Sequence, residues 1–426
     1  MKVKCNPGSS GNHTQTLSAG RQKRVRTCNI NQTQTSSKSI PLLAAMVALF
    51  TLTSSSGRAQ CPAVELTSGL LRPVAIAQSG QDNLLISDTT SRVPNTGRIS
   101  IVDLAGHRRT LLSGLPSGIA DVGDPLGVTG LFLRGRTLFV LIGVGDVAIG
   151  GPIPGSALPN PNPVSSPLFS SVLAVHFSAS VEKNTEGVAL TLADQHALAN
   201  GEKVILENDA GDKVMIELIA DFQNYIPFPL PTLPGNVQLS NPFDLVAVDD
   251  QLYVTDGGRN LVWQVDIPTG AISVLAQFPN IPNPLFPAVG GPTSQAVPTG
   301  IRAVNGQLLV TLFRGAPFAL GTSVVQQVDP LTGDQAPFIT GLKTAIDVLP
   351  LTVGDQTDYL VLQNASVGPF FGGPGLLLRF PASGGAPTIV ANCLDRPTSM
   401  TLDEKTGTVY LTELNSGRVV AVSVAP

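Results

Sequence analysis

Seven residues of this chain have side chains that could do chemistry and recur at one phase of a repeat: Arg72, Asp88, Asn241, Asp256, Asn364, Arg396 and Glu413. Each stands just before a short apolar strand or at the end of the strand that follows, and Asp124 belongs to the same set. If the strands alternate in direction, all of these positions fall on one face. Brought close together, Asp256 with Asp88 or Glu413 could surround Ca²⁺ with several oxygens. Arginines and amides set among aromatic loop residues instead have the make-up of a small-molecule pocket, apolar with a few polar groups. Phe169, Tyr225, Phe228, Phe286, Phe318, Phe370 and Phe371 supply the aromatics. Taken singly, an Asp that ends a strand is expected to cap the next turn through its own side chain.

Other tempting motifs lack their context. Gly143-Val144-Gly145-Asp146-Val147-Ala148 follows a strand, as a dinucleotide loop would, but Gly150-Gly151-Pro152 comes next, so no helix N-terminus can hold a pyrophosphate. His107, His176 and His196 are not in metal-ligand spacing, and no Gly-x-Ser-x-Gly elbow occurs.

The elements that must position these residues are clearest at Asn241–Asp266, NPFDLVAVDDQLYVTDGGRNLVWQVD. Two tight turns join three short strands into a meander, which cannot bury both of its faces alone. The same phrase ends at Asp88, Gly143, Asp256, Leu312, Asn364 and Glu413, mostly about 50 residues apart, the length of a four-stranded propeller blade. The interval from Gly143 to Asp256 is about double. It holds an insertion at about residues 180–213, with a helix near Leu192–Ala199 and a hairpin around Asn208–Gly211, or else an extra blade. The preferred reading is an all-β, six-bladed β-propeller, with seven blades as the alternative. An insertion joining a third strand to a fourth is expected on the face opposite the long Gly/Pro-rich loops.

Closure can be read from the two ends. Ala63–Pro73 matches Pro387–Pro397 in pattern, so Val64–Thr67 reads as an outer fourth strand without its first three. Thr398–Leu402, Val409–Thr412 and Arg418–Ser423 supply three strands without a fourth. The termini should share one blade and leave the ring no free edge.

Composition agrees with such a fold: 43 Gly and 35 Pro in 426 residues, with 13% charged. Residues 1–60 carry eight of the 26 basic residues and no acid, so 18 basic residues face 30 acids in the remainder. Such an acidic body argues against a nucleic-acid or anionic-membrane partner. The basic opening, the 14-residue apolar run Ile40–Thr53 and the small residues around Ala59 read as an export signal rather than a membrane span. The expected domains are a leader and signal peptide at 1–60 and a propeller at 61–426, exported to a periplasmic or extracellular place. Cys61 and Cys393 lie at opposite ends of outer strands, roughly 20 Å apart on flat-strand geometry at ~3.3 Å per residue, and are expected as free thiols.

The repeated LYVTD phrase, with the starts Asn241-Pro242-Phe243-Asp244, Pro298-Thr299-Gly300 and Arg396-Pro397-Thr398, resembles the ScyD/ScyE family. These are exported propellers, related in pattern to NHL-type propellers and named after cyanobacterial clusters that make the pigment scytonemin. The resemblance covers nearly all of Cys61–Pro426. It implies a bacterial, exported propeller linked to secondary-metabolite production. It implies no established activity and no agreed catalytic residues, so none is carried over. Two functional classes are left: a propeller that binds a small aromatic molecule or a protein partner on its loop-rich face, and a metal-dependent enzyme of the lactonase or strictosidine-synthase kind, for which Ca²⁺ is the candidate cofactor.

Overall fold

The computed structural model describes residues 61–88, 93–119 and 125–424. The expected leader at 1–60 and Asp124 lie outside the described residues. Six antiparallel sheets follow one another. Blade 1 is Pro73–Gln78, Leu84–Asp88, Gly97–Val102 and Arg108–Leu115, and blade 2 is Pro125–Arg134, Thr137–Ile142, Ser171–Phe177 and Lys213–Asp221. Blades 3, 4 and 5 begin at Pro242, Pro298 and Ala345, each with four strands in sequence order. Blade 6 is Pro397–Asp403, Thr408–Glu413 and Arg418–Ser423, completed by Val64–Thr67. The chain is therefore a six-bladed β-propeller. The doubled interval holds an insertion and no seventh blade.

A blade in a ring is covered on both faces, so both alternating sets of side chains must be apolar. The strand Thr137–Ile142 demonstrates this: Leu138, Val140 and Ile142 pack toward blade 1, while Phe139 and Leu141 pack toward blade 3. Six hydrophobic clusters result among the described residues, one at each interface between neighbouring blades.

Closure joins the two ends of the chain. Val64, Glu65 and Thr67 pair with Ala421, Val420 and Val419, covering the edge that Arg418–Ser423 would otherwise expose. Cys61, just ahead of this strand, forms a disulfide with Cys393 across 332 residues, with Cα atoms 5.8 Å apart. This corrects the expectation of free thiols. That expectation treated outer strands as parallel to the ring axis. Each strand pair twists by about 20–25°, so three pairs turn the outer strand by roughly 60–75° and lay it along the rim. The end of one outer strand then approaches the lead-in to the next.

The insertion also departs from its expected place. It leaves Phe177 on the face of the strand 1–2 turns, where helix α1 (Ala179–Asn184) sets Glu182 against Ser79, Asn83 and Arg136. It then climbs the outside of the ring: Val188–Ala189 pairs in parallel with Leu112–Ser113 of blade 1. Helix α2 (Leu192–Ala199), closed at its start by a Thr191–Asp194 capping box, places Gln195 against Ser166 of the long loop on the other face. The chain returns as Val204–Glu207, a fifth strand on blade 2. The insertion thus spans both faces, because Val181, Val188, Leu190, Leu198, Val204 and Leu206 fill the widening groove between blades 1 and 2.

Candidate functional site: the cavity at the loop-rich mouth

The innermost strand of each blade sends one residue into a shared cavity, the second residue of the strand in every blade but blade 2, where it is the fifth. These residues, one from each blade, are Val74, Thr129, Phe243, Thr299, Ile346 and Thr398, and together they floor a cavity of about 570 Å³. That volume is in the usual range for a small-molecule site, about 300–1,000 Å³. Arg72, Asn241, Gln295, Asn364, Arg396 and Asn415 stand around it, and Phe313, Phe318 and Phe371 form one wall. The rings of Phe318 and Phe371 stack with centroids 4.3 Å apart, and Phe313 meets Phe318 edge-on at 5.7 Å.

The positions of Arg72 and Arg396 are set by backbone. Both precede a proline and hold left-handed conformations, φ 57° and 52°. Such a turn is uncommon for a residue with a side chain and gathers at sites where geometry is imposed. Arg396 lies over the Phe371 ring, 5.1 Å from its centroid, and donates to the carbonyl oxygens of Phe371 and Asn364. Burial lowers its pKa against a smaller opposing pull from Asp395. Lys343, 1% exposed, donates to Phe318 O at 3.2 Å and Phe370 O at 2.8 Å, tying together the two loops that carry the aromatic wall. Burial, and next the charge of Arg396, lower the pKa of this ammonium.

One residue beyond Phe243 and Ile346, and three beyond Thr299, the same strands carry a charged cluster. Arg302 donates to Asp244 at 2.6 Å and to Asp347 at 2.7 Å. Asp347 also accepts from the backbone of Val348 and Met400. Gly300 leaves the necessary room, since a Cβ there would lie 2.8 Å from Asp347. Burial raises the Asp347 carboxyl to about 7 against the pull of Arg302.

Of the seven residues singled out by the repeat, four line the cavity: Arg72, Asn241, Asn364 and Arg396. The three carboxylates do not. Asp256, fully buried, accepts from the backbone N–H of Asn241, Gly258 and Arg259, from Ser240 and from Trp263. Asp88 accepts from Leu71 N and Arg98, and Glu413 from Asp395 N, Ser416 and Arg418. Each carboxylate is thus occupied as a turn clamp, and the structure does not gather Asp256 with Asp88 and Glu413 into a calcium set. Among the described residues, no group of three His, Cys, Asp or Glu is placed to hold a metal ion.

The aromatics divide similarly. Phe318 and Phe371 reach the cavity, Phe169 is core, and Phe228, Phe286 and Phe370 are exposed. The floor residues were not singled out in advance, although aligning the strand starts marks them. Lys343 carries no such signal, because only the fold buries it.

No protein-family model matches the chain, and no curated protein matches it. Solved structures do. The soluble aldose sugar dehydrogenase of Escherichia coli is 14% identical, covering 85% of this chain and 99% of that one, with a TM-score of 0.47. The aldose sugar dehydrogenase of Streptomyces coelicolor is 12% identical over 84% and 96%, with a TM-score of 0.46. A gluconolactonase of Xanthomonas campestris is 9% identical over 84% and 88%, with a TM-score of 0.42. At these identities no residue role is carried across. No described helix is long and apolar enough to cross a membrane.

Proposed function

We propose that this chain is an exported ligand-binding propeller that receives a small aromatic molecule in the cavity at its loop-rich mouth. The observation that carries this reading is the cavity itself: about 570 Å³, floored by one residue from every blade and walled on one side by Phe313, Phe318 and Phe371. Function tends to sit on loops held by a rigid scaffold, and this is the mouth where the longest loops converge. The Cys61–Cys393 disulfide supports export, since such bonds persist in oxidising compartments. The resemblance to ScyD/ScyE propellers supports a place in secondary-metabolite production of the scytonemin kind.

The test is capture. Purified protein is incubated with the low-molecular-weight fraction of its source cells and examined by native mass spectrometry. The expected result is a retained aromatic species, lost when Gln295→Trp obstructs the cavity. Retention of nothing, or equal retention by the Gln295→Trp protein, overturns the reading.

A further inference from the structure

The charge of this cavity is opposite to that of the molecule around it. The body outside the leader is acidic, with 18 basic residues against 30 acids. Yet the charged side chains lining the cavity, among the described residues, are Arg72 and Arg396. Every other polar lining group is an amide or a threonine hydroxyl. Arg396 engages two backbone carbonyls and one aromatic face; the charge of neighbouring Asp395 acts on it, but no carboxylate stands at salt-bridge distance from it among the described residues. Near enough to feel its charge is the buried Lys343, whose ammonium donates to the carbonyl oxygens of Phe318 and Phe370. Two partly desolvated cations near enough to act on each other raise each other's cost, and Asp395 offsets this only in part. A bound anion removes that cost. The guanidinium is a planar fork suited to donating two parallel hydrogen bonds to a carboxylate, and that of Arg396 already sits 5.1 Å from the centroid of the Phe371 ring, beside the Phe318–Phe371 stack.

We propose that the ligand is an aromatic carboxylate, its anionic end held by Arg396 and its ring laid against Phe371 and Phe318. This deepens the ligand-binding reading and rests on it. Lys343 has a positioning role: it holds the Phe318 and Phe370 loops so that the stack faces the guanidinium.

A matched set of three probes tests the charge separately from the site: 2-naphthoate, 2-naphthamide and 2-naphthylmethylammonium, titrated into the full-length protein and followed by ligand-observed NMR. Naphthoate is expected to bind at least tenfold more tightly than the amide, with the ammonium probe weakest. Arg396→Gln should remove roughly 10- to 100-fold of naphthoate affinity, the usual worth of a charged hydrogen bond, and leave the amide unchanged. Phe371→Ala should weaken both alike. Gln295→Glu places a carboxylate on an exposed cavity residue without disturbing the fold, and should weaken naphthoate while strengthening the ammonium probe. Equal binding of naphthoate and amide by the unaltered protein overturns the anion inference and leaves the ligand-binding reading standing. Binding of none of the three, with an unchanged melting curve in their presence, overturns both.

Discussion

Arg302 of blade 4 donates to Asp347 of blade 5 at 2.7 Å, while its other nitrogen holds Asp244 of blade 3 at 2.6 Å, the two acids each following a residue that lines the cavity. Three successive blades are tied by one guanidinium, and two carboxylates share it. Burial, and after it the charge of Asp244, push Asp347 up to about 7 against the pull of Arg302.

A pH dependence follows. The folded-state carboxyl lies above its unfolded value of 3.8, so the folded protein binds the proton more tightly. The stability that this gives is complete below about pH 4, declines as pH rises and is lost above about pH 7. Comparing melting temperatures of the unaltered protein and Asp347→Asn from pH 4 to 8 isolates this group. The gap between the two proteins should change across that window; a constant gap refutes the shift. Arg302→Met should cost roughly 3–5 kcal/mol, because it leaves two buried carboxylates without a cation.

Reduction of the Cys61–Cys393 bond should lower stability by about 2–5 kcal/mol, toward the upper end because the loop it closes is long. Mass spectrometry of unreduced, alkylated protein should recover the linked peptide. Melting that is indifferent to reductant, or two alkylated thiols, contradicts the bond.

Removing Ala63–Ser68 should expose the edge Arg418–Ser423 and produce unfolding or higher oligomers. In a Cys61→Ser, Cys393→Ser background the same truncation separates the strand's contribution from that of the disulfide. Monomeric elution and unchanged melting of the truncated chain would argue against the shared blade.

Replacing Glu182–Asp212 by a short turn should unfold the protein or aggregate it, since Val188, Leu190, Leu198, Val204 and Leu206 belong to the core between blades 1 and 2. The milder Glu182→Ala leaves Ser79, Asn83 and Arg136 without their acceptor and should cost roughly 3 kcal/mol by denaturant titration. A loss below about 0.5 kcal/mol, the scale of an ordinary surface change, would show that the carboxylate does not hold the insertion in place.

The ring itself was legible in the linear chain because its physics is local and repeated. A blade buried on both faces needs apolar residues at every strand position, as in Leu138–Ile142, and tight turns between strands; both recur at fixed spacing. The shared blade was legible for the same reason, since Ala63–Pro73 and Pro387–Pro397 repeat one pattern. Part of the candidate site was legible too: strand starts bring Arg72, Asn241 and Arg396 to the mouth, and a strand end brings Asn364. Local pattern could not say that Asp88, Asp256 and Glu413 are taken up as turn clamps, because a strand-ending carboxylate has the same spacing in either role. Twist decided the disulfide: small rotations between neighbouring strands, summed across a blade, bring Cys393 to Cys61. Packing decided the rest. The groove between blades 1 and 2 drew the insertion across both faces, and only the folded ring placed Lys343 near Arg396 and Arg302 between two acids from neighbouring blades.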